Sequence, residues 1–220
     1  YGHHLVGLAE HMSPVVQRAA GCLNLPLDHS FTLSMPDDAP ASLTQPFPTP
    51  CTLGTALSRY ADLLNPPRKT ALAALASVAT DAAEKARLEH LSSTAGKHEY
   101  ASYITDPSRS LIEVLEAFPS AVPSLGLCFG TVCPRLAPRF YSISSSPLVD
   151  PDVITATVAV VRGDTPTGRL HEGVASTYLS RFVSSNSAFG EEKVRLEMRS
   201  ERVPIFVRSS TFKLPSDPSV

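Results

Sequence analysis

The sequence predicts an α+β fold in which a small β-barrel is interrupted by a block of helices. Residues 51–133 place apolar side chains at helical spacing in one helix after another, with no strand pattern between them. Residues 134–220 are instead rich in short runs of β-branched and aromatic residues, which are typical of strands. A β-rich unit with a helical insertion accounts for both observations.

The composition gives no support to nucleic-acid binding or to a membrane-spanning segment. The formal net charge is −2, so there is no electrostatic reason to expect a nucleic acid or an anionic membrane as partner. No apolar run approaches the roughly 20 residues of a membrane helix. The chain opens on Tyr1, and we expect further residues upstream. The cysteines match no metal-binding spacing, and we expect reduced thiols packed among apolar neighbours: Cys22, Cys51, Cys128 and Cys133.

The first zone of the chain ends near residue 50. It opens with a short apolar run over Leu5 to Ala9. Ser13 followed by Pro14 is a capping residue with proline at the first helical position, and it predicts a helix over about 14–24. The prolines of 36–50 predict a surface loop.

The second zone, 51–133, is expected to be helical throughout. Capping residues and prolines mark where its helices begin. The predicted starts follow Thr52, Pro67, Asp81 (with Glu84 in a capping-box-like position) and Asp106-Pro107.

The third zone, 134–220, is expected to be mostly β. Its apolar, β-branched runs predict strands over about 140–144, 153–161, 203–207 and 210–214. One helix is expected around 173–183.

The segment 138–147 carries the first candidate site. In an extended strand Arg139 and Tyr141 lie on the same face, because side chains alternate. The planar donors of an arginine match pyrophosphate oxygens in pairs, and a tyrosine offers a flat surface to a ring system. Ser142 can donate a hydrogen bond at the edge of such a ring. An ordinary strand with an exposed arginine and a core tyrosine explains the segment as well.

The segment 171–179 carries the second candidate site. Gly173 lets the backbone come close to a ligand, and Ser176 and Thr177 can cap the helix that follows. The start of that helix presents free N–H groups and a positive dipole end to a phosphate. The alternative is a loop-to-helix cap that binds nothing.

Taken together, in this order and spacing, the two segments resemble the FAD-binding signature of the ferredoxin–NADP reductase superfamily. The likeness extends to the plant-type NADPH–haemoprotein (cytochrome P-450) reductases of the diflavin reductase family, and it covers nearly the whole chain. The stretches that carry it are 48–53, 58–69, 165–169, 204–208 and 212–215.

The resemblance implies a domain organisation. Residues 1–50 and 134–220 would form an antiparallel Greek-key β-barrel that binds FAD, of the ferredoxin reductase-like type. Residues 51–133 would be an inserted all-helical connecting subdomain that orients the two flavin domains.

The resemblance also implies roles for individual residues. Arg139 would hold the FAD pyrophosphate, Tyr141 would stack on the isoalloxazine, and Ser142 would hydrogen-bond near flavin N5 as the catalytic residue. The other expected FAD contacts are Phe140, Val158, Ala159, Val160, Gly173, Val174, Ala175, Ser176 and Arg109. No metal is expected, and His3, His4 and His11 are interpreted as solvated or structural.

The chain departs from the family pattern in three places. The chain has Gly2-His3-His4-Leu5 where the family usually has Gly-Asp-His-Val. Val158 stands where a cysteine is usual, and Arg162 where an aromatic residue near the adenine is usual.

The implied function is an oxidoreductase that passes electrons from NADPH through FAD and FMN to a haem protein such as a microsomal monooxygenase. The FMN and NADPH domains of the same full-length chain would be its partners, so these 220 residues are expected to be soluble and to hold FAD alone. The full-length protein would lie on the cytosolic face of the endoplasmic reticulum. Relatives acting on sulfite, methionine synthase or nitric oxide remain open, as does a flavin-free scaffold derived from such a reductase.

Overall fold

A computed structural model describes residues 3–7, 9–34, 45–181 and 203–209 of the chain. They belong to two compact units. The strand unit comprises the described residues within 1–10, 138–162 and 171–220, and the helical unit comprises those within 11–137 and 163–170. The predicted α+β class is confirmed. The predicted functional domains, divided near 50 and 133, stay a prediction.

The secondary structure alternates short strands with a central run of helices. Two short helices, Lys97–Tyr100 (α5) and Leu125–Leu127 (α7), each continue into a π-helical turn, over Ala101–Thr105 and Cys128–Val132. In chain order the elements are β1 (His3–Gly7), α1 (Ser13–Cys22), β2 (Ser30–Phe31), β3 (Cys51–Thr52), α2 (Leu53–Arg59), α3 (Lys69–Val78), α4 (Ala82–Ser92), α5 (Lys97–Tyr100), α6 (Leu111–Ala117), α7 (Leu125–Leu127), β4 (Arg139–Ser142), β5 (Arg162–Asp164), β6 (Leu170–Glu172), α8 (Val174–Ser180) and β7 (Ile205–Ser209).

Two of the predicted helix starts agree with the structure. The side chain of Thr52 accepts a hydrogen bond from Thr55 N at 3.2 Å and caps α2. Asp81 caps α4 by accepting from the second and third backbone N–H groups of that helix. Glu84 does not complete a capping box, because its carboxylate instead accepts from the backbone N and the hydroxyl of Ser120.

The predicted helix start at Asp106-Pro107 is wrong. These residues follow the π-helical turn that extends α5, and α6 begins only at Leu111. The residue that starts α6 is Ser110, which forms a full capping box with Glu113. Ser13 is the first residue of α1 and not its cap.

The core of the described residues lies in the helical unit. It is lined by the inward faces of the amphipathic helices, together with a cluster of aromatic rings that includes Phe47 stacked on Tyr60 at a centroid distance of 4.9 Å. The largest fully buried side chains are Leu53, Leu57, Leu63, Leu72, Leu75, Leu88, Leu91, Ile104, Leu111, Ile112 and Val114.

The strand unit contains an antiparallel sheet in the order β4-β1-β7. In its register His4 lies opposite Ser142 on one side and Arg208 on the other. β5 and β6 form a separate hairpin. The described strands form no closed barrel. The predicted strand over 210–214 lies outside the described residues.

The predicted strand over 153–161 is wrong. Within it the structure has one isolated bridge, between Ile143 and Ala156, beside a hydrogen bond from Ser144 N to Thr155 O. Val153, Ile154, Val160 and Val161 are exposed. High β-propensity describes a side chain that packs well on a half-buried sheet, and it does not form a strand where a neighbouring strand is not paired.

The remaining features of the described residues concern cysteines, metals and membranes. Cys22, Cys51, Cys128 and Cys133 are free thiols, and the last two are buried. Within the described ranges, no three His, Cys, Asp or Glu side chains gather as a metal site. Nor is any helix there long and apolar enough to cross a membrane.

Candidate functional site

Strand β4 presents the first group of predicted site residues. Arg139 is exposed, and Tyr141, two residues on and therefore on the same face, is half-buried. Burial raises the pKa of Tyr141, and the charge of Arg139 partly offsets this rise. On the neighbouring strand β1, Gly7 is the register partner of Arg139, and a Cβ there would lie 3.9 Å from Tyr141 Cε2, an ordinary contact distance. One face of β4 therefore combines a cation with a flat aromatic surface.

The alternate residues of β4 lie on its other face. Phe140 is 49% exposed, meets the His4 ring edge-on at 6.3 Å, and has the Arg208 guanidinium 6.0 Å from its centroid. Ser142 ends the strand with an exposed hydroxyl. The pleat thus separates Phe140 and Ser142 from the pair Arg139 and Tyr141.

The start of α8 presents the second group. Gly173 is the N-cap of this helix, and its N–H donates to Val161 O at 2.9 Å. A Cβ on Gly173 would lie 2.9 Å from Val161 Cβ and 2.8 Å from Ser176 Oγ. The sequence predicts that this glycine lets the backbone approach a ligand. In the structure it lets the helix approach residue 161.

The two hydroxyls in the first turn of α8, those of Ser176 and Thr177, differ in their hydrogen bonding. Ser176 Oγ accepts from Val161 N at 3.1 Å and donates to Gly173 O at 3.2 Å, so its single proton is already used. Thr177 Oγ1 is buried and has no hydrogen-bond partner among the described residues. The N–H groups of Val174 and Ala175 open the helix and have no carbonyl four residues back within it. Donors for an anion are therefore present at this turn.

The other predicted contacts lie elsewhere. Val158, Ala159 and Val160 follow the isolated bridge and belong to no described strand. Arg109 belongs to the helical unit, where its Nε donates to Tyr103 O at 3.0 Å and its guanidinium lies 4.2 Å from the centroid of the Tyr103 ring.

Sequence reasoning missed three residues that contact predicted site residues or their neighbours in the chain. Val161 O accepts from the N–H of Gly173, and Val161 N donates to the hydroxyl of Ser176. Arg169 and Glu113 form an ion pair at 2.9 Å with side chains 12% and 13% exposed. Glu113 sits three residues after Ser110, and that spacing is the signal that identifies the capping box.

Comparison with known proteins decides the family. Residues 1–178 match the FAD binding domain family. The chain belongs to this family. Proteins named NADPH–cytochrome P450 reductase are similar over nearly all of it: 36% identical in Drosophila melanogaster, 37% in Dictyostelium discoideum and 34% in Oryctolagus cuniculus, covering 99%, 98% and 97% of the chain. The chain spans about 30% of the length of these relatives. The plant-type assignment stays a prediction.

The residues of the candidate site fit the chemistry of FAD, the cofactor after which the family is named. A dinucleotide diphosphate needs fixed cations and N–H or O–H donors. The strand unit supplies the exposed Arg139, the free N–H groups at the start of α8, and the unpartnered hydroxyl of Thr177. It also supplies the half-buried ring of Tyr141 as an apolar surface.

Proposed function

We propose that the chain binds FAD and serves as the FAD-binding part of an NADPH-dependent diflavin reductase. The single observation that carries the proposal is the match of residues 1–178 to the FAD binding domain family. The relatives that match nearly all of the chain are named NADPH–cytochrome P450 reductase. The proposed route of electrons therefore runs from NADPH through FAD and FMN to a haem protein.

Each site residue has a proposed role. Arg139 pairs its planar donors with the diphosphate, the first turn of α8, capped by Gly173, adds the backbone donors of Val174–Ser176, and Arg109 contacts a phosphate. Tyr141 stacks on the ring system. When bound, FAD supplies hydride acceptance and single-electron release, chemistry that protein side chains do not provide.

Of the two serines with proposed roles, Ser176 needs a rearrangement and Ser142 does not. Ser176 can donate to a phosphate only if its proton leaves Gly173 O, because a hydroxyl has one proton. Ser142 remains available to donate to the flavin near N5, since its hydroxyl is exposed at the end of β4. Phe140, Val158, Ala159 and Val160 are proposed as apolar contacts of FAD.

The finer architecture belongs to the same proposal. Residues 1–50 and 134–220 would complete a Greek-key barrel around an inserted helical connecting subdomain at 51–133. The full-length protein would lie on the cytosolic face of the endoplasmic reticulum, with its FMN and NADPH domains as partners in the same chain. A crystal structure of the FAD-loaded protein tests the barrel and the boundaries together.

The decisive experiment compares two flavins. FAD and FMN share the isoalloxazine ring, but only FAD has a diphosphate. We expect the chain to bind FAD at least about tenfold more tightly than FMN, since the proposed donors act on the diphosphate. Titration followed by quenching of flavin fluorescence measures both dissociation constants. Equal affinities would contradict the proposal, and no measurable binding of either flavin would favour a flavin-free interaction role.

A further inference from the structure

A partly buried ion pair holds the turn before β6 against the start of α6. The turn begins at Thr165-Pro166, and Gly168 N donates to Thr165 O at 2.8 Å. Gly168 follows with a φ of +78°, a left-handed conformation that favours glycine. The next residue, Arg169, donates from Nε to Glu113 Oε2 at 2.9 Å.

Glu113 is held by several donors at once. Its Oε2 accepts from Ser110 N at 2.8 Å and from Ser110 Oγ at 2.6 Å as well as from Arg169. Burial raises the pKa of Glu113, but hydrogen bonds from Ser110, Thr167 and Arg169 outweigh this effect and bring the pKa to about 2. The carboxylate is therefore ionised whenever the protein is folded near neutral pH.

Arg169 also holds Ser108, the residue that precedes Arg109 in the chain, whereas Glu113 holds Ser110, the residue that follows it. Its Nη2 donates to Ser108 O at 3.3 Å, and Ser108 has a φ of +53°, a conformation that costs a non-glycine residue free energy. Nη1 of Arg169 is buried and has no hydrogen-bond partner among the described residues. The guanidinium is thus fastened to Ser108 and, through Glu113, to Ser110.

Arg109 lies between these two fastened residues. Its backbone N donates to Ile104 O at 2.9 Å, its Nε donates to Tyr103 O, and its flat face lies on the Tyr103 ring. Neither side-chain contact uses Nη1 or Nη2, the nitrogens that pair with two oxygens of a phosphate. The backbone and the side chain of Arg109 are both held before any ligand is present.

We propose that Arg169 is a positioning residue: by holding Ser108 and Glu113 it fixes the loop that presents Arg109 to the diphosphate of FAD, a role that rests on the proposed FAD-binding function. A preorganised arginine binds more tightly because it loses less conformational freedom on binding. Arg169 then contributes to FAD affinity through Arg109.

The test is a double-mutant cycle on FAD affinity in the 220-residue chain. We expect Arg109→Ala to weaken FAD binding about 10- to 30-fold and Arg169→Ala about 5- to 10-fold. Because Arg169→Ala already removes part of the Arg109 contribution, Arg109→Ala should cost less than about sixfold in the Arg169→Ala background. Arg18→Ala is the matched control, since it removes another arginine–glutamate pair on α6, with Glu116 at 2.8 Å. It should leave the FAD dissociation constant unchanged.

A second measurement does not depend on FAD. In the free protein, the Nε–H of Arg109 should give a slowly exchanging NMR signal, because it is bonded to Tyr103 O. Arg169→Ala should speed that exchange at least about tenfold. If Arg169→Ala folds poorly, Arg169→Lys is the second variant. Lysine keeps the charge but lacks the forked guanidinium that bonds Ser108 and Glu113 at once. FAD affinity and the exchange of the Arg109 Nε–H should therefore shift in the same directions as in Arg169→Ala.

The outcomes separate the two proposals. Equal affinity for FAD and FMN overturns the proposed function and this inference with it. A clear preference for FAD, together with additive losses in the cycle or an unchanged Arg109 signal, overturns the role of Arg169 and leaves the function standing. A non-additive cycle with faster exchange of the Arg109 Nε–H supports both.

Discussion

Arg139 is the residue on which FAD affinity should depend most directly. A charge-assisted, paired interaction with a phosphate is worth about 2 kcal/mol, so Arg139→Ala should weaken FAD binding about 30-fold. FMN lacks the diphosphate, and its affinity should change less. Arg139→Lys is the matched variant, because it keeps the charge and loses the planar fork. If both variants bind FAD as the parent chain does, Arg139 does not contact the diphosphate.

Gly173 should be intolerant of any side chain. A Cβ there would lie 2.9 Å from Val161 Cβ, and relieving such an overlap costs about 1–3 kcal/mol. Gly173→Ala should therefore lower the free energy of unfolding by that amount, measured in urea. Gly21→Ala in α1 is the control, because nothing lies within 4 Å of the position and alanine favours a helix. A Gly173→Ala protein as stable as the Gly21→Ala protein would contradict the close approach.

Sequence reasoning predicted the kinds of site residue better than their surroundings. The alternation of side chains along a strand was enough to put Arg139 and Tyr141 on one face. The hydrogen bonds of Ser176 were only partly predictable. Its hydroxyl donates to Gly173 O within the same turn, but it also accepts from Val161 N, 15 residues earlier in the chain, and that contact is set by the fold. The same holds for Arg169 and Glu113, which are 56 residues apart in the chain and pair only through the fold.

At the level of elements, helix α6 should make the protein sensitive to acid. The pKa of Glu113 is lowered from 4.5 to about 2 in the folded state. A carboxyl with a depressed folded pKa stabilises the protein above its unfolded pKa and loses this effect as the pH falls toward the folded value. The free energy of unfolding should therefore decrease between about pH 4.5 and pH 2, measured by urea denaturation at several pH values.

Glu113→Gln is the variant that isolates this effect. It removes the charge beside Arg169 and should cost about 1–3 kcal/mol near neutral pH, because the pair is only partly buried. Its stability should also depend less on pH below pH 4.5 than that of the parent chain. Glu116→Gln, on the same helix but in a pair that is 44% and 41% exposed, should change stability by less than about 1 kcal/mol. Identical pH profiles for Glu113→Gln and the parent chain would contradict the assignment.

The elements themselves were predicted unevenly. The helices of residues 51–92 follow capping residues and apolar spacing, which are local signals, and α2, α3 and α4 lie close to where the sequence places them. The strand expected over 153–161 depends on a partner strand, and a single sequence does not specify that pairing. The start of α6 was misplaced because Asp106-Pro107 resembles a cap, whereas the chain is still finishing a π-helical turn there.

At the scale of the whole molecule, the two units should differ in local stability. Every large, fully buried side chain of the described residues lies in the helical unit, whereas all five residues of β7 are exposed. Amides in α3, α4 and α6 should therefore exchange with deuterium at least about 100-fold more slowly than those of β7 in the free protein. Hydrogen exchange followed by mass spectrometry measures this. Equal protection in β7 and α3 would contradict it.

The second prediction at this scale concerns activity. The chain spans about 30% of the length of its reductase relatives, and the proposed assignment gives nicotinamide binding to residues outside these 220. Hydride transfer requires the nicotinamide to be held against the flavin, and positioning of this kind accounts for many orders of magnitude in rate. The FAD-loaded chain should reduce ferricyanide with NADPH at least about 100-fold more slowly than a full-length reductase. Comparable rates would mean that these residues contain a nicotinamide site.

The close approach of α8 to residue 161 has an evolutionary consequence. The overlap that a side chain on Gly173 would create involves the Cβ of Val161, an atom that every residue except glycine carries. Shrinking Val161 to alanine would therefore not make room, and only glycine at position 161 would. Among natural variants of this chain that keep this geometry, at least one of the two positions should be glycine. Substitutions at 161 and 173 should then be epistatic, with Val161→Gly partly rescuing a Gly173→Ala change that is harmful alone, since the remaining overlap with Ser176 Oγ requires that hydroxyl to rotate.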